Sequence, residues 1–137
     1  MNEGLPKFKG ENLLAEIRKS TDGLTYMSET DAPVEPYSGG HANTVDIANF
    51  IDVSASAVKH QKLAPKKFFD RLTTVSDWFG PEQREAARRF SELEKLLEEN
   101  LNKLTVFKIG HIQIDIYVVG LDADKNLIGI KTKAVET

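Results

Sequence analysis

The chain has 137 residues, 21 acidic and 18 basic, for a formal net charge of −3, and it contains no cysteine. That length suits one domain with one substantial core, and 40 % apolar with 28 % charged residues is the make-up of a folded protein, not a disordered one. Lack of cysteine excludes disulfide scaffolds, thiolate zinc sites and cysteine nucleophiles, while a pI near 5.6 argues against a strongly cationic nucleic-acid binder.

The opening MNEGLPKFKG has no apolar period and no signal-peptide core, so residues 1–10 are expected to be a flexible lead-in to a single domain over 11–137. Leu13, Leu14 and Ile17 share a face of a helix expected from Glu11 to Thr21, ended by Gly23. Alternation at Leu24 and Tyr26 predicts a short strand. SETDAPVEPYSGG, from Ser28 to Gly40, carries two prolines and a Gly-Gly pair and is expected to be a long loop. A second helix is expected from Asn43, with Asp46 completing a capping box and Ile47, Phe50 and Ile51 facing inward. An edge strand follows at about Ala57–Leu63, then a short helix from Pro65 with Phe68, Phe69 and Leu72. TTVSDWFG is a second loop.

The longest helix is expected from Pro81 to about Leu104, with Ala86, Phe90, Leu93, Leu97, Leu101 and Leu104 at 3–4 spacing. Glu85–Arg89 and Glu99–Lys103 stand at the i,i+4 offset that favours ion pairing. The period then changes to two. Val106–Ile109, the set Ile112, Ile114, Ile116 and Val118, and Leu127–Ile130 predict three strands, the last two joined by LDADKN as a hairpin. About four helices and four or five strands make an α+β protein, an antiparallel sheet with helices packed on it. No apolar run reaches the roughly 20 residues that span a bilayer, so a cytoplasmic protein without membrane contact is expected.

Charge is unevenly placed. No Lys or Arg lies between Lys19 and Lys59, a stretch that holds Asp22, Glu29, Asp31, Glu35, Asp46 and Asp52 and predicts a negative surface. Lys59, Lys62, Lys66, Lys67 and Arg71 give the opposite bias, the pattern of a solvated basic face. Glu29, Asp31 and Glu35 fit no EF-hand loop, and His41, His60 and His111 stand in no metal-ligand spacing. Ser28, Ser38 and Ser76 lack the glycines of a nucleophile elbow. No catalytic constellation emerges, and no metal or cofactor of the protein's own is expected.

Two features stand apart. Trp78, the sole tryptophan, lies in a loop, either plugging the core or anchoring an interface. The strand-like IGIKTKAVET runs almost to the last residue. Either the end frays, or Glu136 and the hydroxyl and carboxylate of Thr137 are held near the fold, a cluster suited to Mg²⁺ or to a partner's arginine.

Four segments carrying these features, STDGLTYMSETDAPVE, TTVSDWF, VFKIGHIQIDIYVVG and the closing KTKAVET, resemble the cyanobacterial nuclease A inhibitor family over about two thirds of the chain. The segment from about Pro36 to Ala64 does not match. The resemblance implies an α-β-α sandwich like that of plant pathogenesis-related proteins. It also implies a non-enzymatic inhibitor that plugs a sugar-non-specific, ββα-metal endonuclease, with no direct nucleic-acid binding. By the same resemblance Thr137 reaches the nuclease's catalytic metal, Glu29 contacts its active site, and Trp78 lies in the interface. The family's glutamine two residues before that tryptophan is Ser76 here, a shorter side chain. Glu136 joins Glu29 and Thr137 as a charge mimic of phosphate in a basic cleft. The partner-binding set is then Glu29, Ser76, Trp78, Glu136 and Thr137. Two rivals remain open: an interaction module with a non-nuclease partner, and a small metal-dependent hydrolase using Glu29, Asp31 and His41.

Overall fold

The computed structural model describes residues 7–52 and 58–137. In chain order it contains α1 (Gly10–Thr21), β1 (Thr25–Met27), β2 (Asp31–Pro33), β3 (Glu35–His41) and a 3-10 turn (Ile47–Asn49). There follow β4 (His60–Leu63), α2 (Pro65–Thr73), α3 (Pro81–Asn100), β5 (Asn102–His111), β6 (Gln113–Leu121) and β7 (Asn126–Val135). Strands β3-β7-β6-β5-β4 form one five-stranded sheet and β1-β2 a separate hairpin, and every pairing is antiparallel. The mixed α+β class is as expected.

Side chains alternate across the sheet, so each face builds its own core. On one face Val106, Ile116, Val118, Ile128 and Ile130 pack with Leu13 and Ile17 of α1, Phe68 and Phe69 of α2, and Phe90, Leu93 and Leu97 of α3. Tyr26 of β1 joins them, stacked on Phe68 at 5.6 Å between ring centroids. On the opposite face Phe107, Val119, Leu121 and Leu127 lie under Tyr37, Val45, Ile47 and Phe50. Phe50 stacks on Tyr117 at 4.3 Å. The helical layer is thus on one side, and the segment around the 3-10 turn is a thinner cover on the other.

The helices follow local sequence logic. Gly23 has the left-handed φ of +72° that ends the α1 turn. Pro65 and Pro81 sit in the first turns of α2 and α3, where a missing N–H costs nothing. The Gly80 N–H donates to the Gln83 side chain at 2.9 Å, which closes the start of α3. At the other end α3 stops at Asn100, not near Leu104. Asn100 is buried, donates from Nδ2 to the Leu96 carbonyl at 2.8 Å, and accepts from the Lys7 and Phe8 amides at 2.9 Å. Lys103, in β5, therefore has no helical partner in Glu99. Ala87, not Ala86, is the buried alanine of α3. Arg88 pairs with Glu85 and Glu92, while Arg89 donates to the Ser20 and Asp22 carbonyls and ties α3 to the end of α1.

The expected loop over Ser28–Gly40 is instead β2 and most of β3. β3 is an edge strand bonded only to β7, with Pro36 opposite Ile130. A proline is tolerated there because one side of an edge strand needs no donor. The helix expected from Asn43 is only the 3-10 turn, with Asp46 as its N-cap and its N–H donating to Asn49 Oδ1 at 2.7 Å. β4 confirms the edge strand from His60 onward, whereas Ala57 lies outside the described residues.

Candidate functional site

The C-terminal end of β7 meets the tip of the β1–β2 hairpin. Ser28 forms the tight tip: its N–H donates to the Thr30 carbonyl at 2.9 Å, and its Oγ accepts the Val135 N–H at 3.0 Å. The Glu29 N–H donates back to the Val135 carbonyl at 3.3 Å. The last residue of β7 is therefore held on both its donor and its acceptor.

Beyond β7 the chain stays bound. The Glu136 N–H donates to the Ile112 carbonyl at 2.8 Å, and its carboxylate takes Lys108 Nζ at 3.1 and 3.2 Å. Thr137 then donates twice to Glu29, from its N–H at 2.5 Å and from its hydroxyl at 2.7 Å. These two bonds, the hydroxyl's first and the amide's second, hold the Glu29 carboxyl below its ordinary range, because both favour its charged form. With the hydroxyl hydrogen on Glu29, Thr137 Oγ keeps its lone pairs as acceptors.

Ile112 sits in the β5–β6 turn at φ +66°, a region a β-branched residue seldom occupies. Gly110, at φ +122°, makes the turn possible, since a Cβ there would lie 2.2 Å from the Gln113 carbonyl oxygen. Sequence alternation put Ile112 in a strand with Ile114, Ile116 and Val118. Instead it is an exposed turn residue whose carbonyl points at Glu136.

Ser76 and Trp78 lie on the separate loop between α2 and α3. The Phe79 N–H donates to the Ser76 carbonyl at 3.0 Å, and Trp78 meets Phe79 edge-on at 4.7 Å. Trp78 is 75 % exposed, so it does not plug the core. This loop follows α2, whose Arg71 donates to the Tyr26 hydroxyl at 2.8 Å, three residues before Glu29. The structure thus joins Thr137 directly to Glu29, ties the adjacent Glu136 to Lys108, and holds Ser76 and Trp78 together on their own loop.

Several participants escape the sequence reading. Met27 is 68 % exposed two residues before Glu29, and Val75 and Ile112 are exposed too. Met27 had a usable signal, an apolar residue in the outward phase of a strand whose inward residues are Leu24 and Tyr26. Ser28 and Lys108 had none, because their partners lie 107 and 28 residues away. Lys108 also alters the electrostatics, since Glu136 is already ion-paired within the fold.

Glu29, Asp31 and His41 do not converge, and among the described residues no three His, Asp or Glu side chains gather as a metal would require. No helix among those residues is long and apolar enough to cross a membrane. No curated protein is similar enough to this chain to count as a match. The family described as nuclease A inhibitor-like protein does match, over residues 11–137, nearly the whole chain, and the chain belongs to that family.

Proposed function

We propose that this protein inhibits a sugar-non-specific, ββα-metal endonuclease by inserting its C-terminal end and the Glu29 turn into the active site. The observation that carries this reading is the double hydrogen bond from Thr137 to Glu29, which fixes the end of the chain against the exposed Glu29 turn. Family membership supports action by binding rather than by catalysis. A nuclease cleft is basic and holds a divalent cation, and Mg²⁺ takes oxygen ligands while keeping several of its waters. The Thr137 hydroxyl and the Glu29 carboxylate are oxygens of that kind, and the Glu29 charge complements the basic walls. Exposed Trp78, on its own loop, supplies a further apolar anchor.

The test is DNA cleavage by a panel of ββα-metal nucleases, titrated with the full chain and with a variant lacking Thr137. Stoichiometric inhibition that collapses in the variant is expected. Equal inhibition by both would overturn the plug, and no inhibition by either would return the protein to the class of interaction modules with another partner.

A further inference from the structure

We infer that Lys108 is a positioning residue, which grips Glu136 so that Thr137 is delivered to Glu29 already in place; the functional side of this rests on the inhibitor reading above. The two residues past β7 have no strand partner to order them, and a free chain end frays unless tied down. Here the ties alternate along the chain. Ser28 Oγ takes the Val135 N–H, the Ile112 carbonyl takes the Glu136 N–H, and Lys108 takes the Glu136 carboxylate. Glu29 takes Thr137 last.

Lys108 forms the ion pair among these ties. Its side chain is only 19 % exposed, and its ammonium lies within 3.2 Å of both carboxylate oxygens. It is also a cation at an edge otherwise marked by Glu29 and Glu136. If this edge worked by charge alone against a basic cleft, Lys108 would oppose binding, and removing its charge would tighten the complex. If Lys108 positions the chain end, removing it lowers the fraction of molecules whose end is in place, and apparent affinity falls by that fraction. The two accounts predict changes of opposite sign. Glu136 is then a handle for Lys108, not a group that touches the partner.

The experiment compares wild type, Lys108→Met, which keeps the stem without the charge, and the exchange Lys108→Glu with Glu136→Lys. The first readout is the ¹⁵N heteronuclear NOE of the Glu136 and Thr137 amides in the free protein. The second is inhibition of whichever ββα-metal nuclease the wild type inhibits. Lys108→Met is expected to lower both NOEs and to weaken inhibition about fivefold, the upper range for a partly exposed ion pair. The exchange is expected to restore both. Unchanged NOEs in Lys108→Met, or tighter inhibition by it, would overturn the inference. An exchange variant that stays weak would show that Glu136 itself meets the partner. Should wild type inhibit nothing on the panel, the inhibitor reading fails while the NOE comparison still decides whether Lys108 holds the chain end.

Discussion

The two ends of the β5–β6–β7 meander carry polar clusters of similar size and opposite character. At the β6–β7 turn, Asp122 is 2 % exposed and accepts from the Gly10, Asp124 and Asn126 amides, each at 2.8 Å, and from the Asn126 side chain at 3.1 Å. Burial alone would raise its pKa, but the four donors outweigh that and lower it. At the other end Glu29, Glu136 and Thr137 bond in the open, with Ser28 and Lys108 half-buried beside them. A buried, fully donated carboxylate fixes the path of the chain into α1. An exposed cluster contributes little to stability and leaves its outer oxygens open to solvent. One end is closed into the fold, and the other keeps its carboxylates exposed.

Removing Thr137 should separate the ends most sharply. Inhibition is expected to fall at least about a hundredfold, roughly 3 kcal/mol, as for a central hot spot. Thermal stability should stay within about 0.5 kcal/mol of wild type, as for a surface change. A titration of inhibition and a calorimetric melt check the two halves. Asp122→Asn should do the reverse. Placing an amide NH₂ against buried N–H donors costs about 2–3 kcal/mol. Urea unfolding should show that loss, while the folded fraction inhibits as wild type does.

The sequence made some elements far more legible than others. The α1, α2 and α3 faces and the C-terminal meander were visible because their apolar periods are long and local, as at Leu13–Ile17 or Phe90–Leu93–Leu97. β3 was hidden because its stabilising partner, β7, lies about 90 residues away, and because Pro36 and the Gly-Gly pair are turn-like everywhere except on an edge. The end of α3 was overrun because Leu101 and Leu104 continue the 3–4 spacing, while the true stop is set by Asn100 bonding to Lys7 and Phe8. At the candidate site, Glu29 and Thr137 could be named from family likeness. The Ser28 and Lys108 ties could not, since both are hydrogen bonds closed only by the fold.

Trp78→Ala sharpens the comparison from a third place. The ring is exposed and touches Phe79 only at its edge, so stability should change by less than about 0.5 kcal/mol. Binding should weaken by about 1–2 kcal/mol if the ring is a further anchor. Surface plasmon resonance against the inhibited nuclease reads this as a faster dissociation rate, and an unchanged rate would place Trp78 outside the interface.

The smallest effect should come from acid, and its sign differs from what a buried base would give. The Glu29 pKa is lowered in the fold, so the bonds it accepts from Thr137 are fully present above the ordinary glutamate range. They are lost only as pH falls through the lowered folded value, when a protonated carboxyl gives up acceptor strength. The Thr137 amide resonance should therefore hold its position from neutral pH down through the ordinary glutamate range and move only below it. Asp122, also lowered, predicts that global unfolding begins in the same direction, with stability present above the ordinary aspartate range and draining below it. The two ends are then told apart by what moves. Loss of the Glu29 bonds shifts the Thr137 and Glu136 amides alone, whereas loss of Asp122 ionisation shifts the whole spectrum at once. Simultaneous movement of both sets would mean that the exposed cluster has no local opening of its own, and that the chain end is as much a part of the cooperative fold as the Asp122 corner.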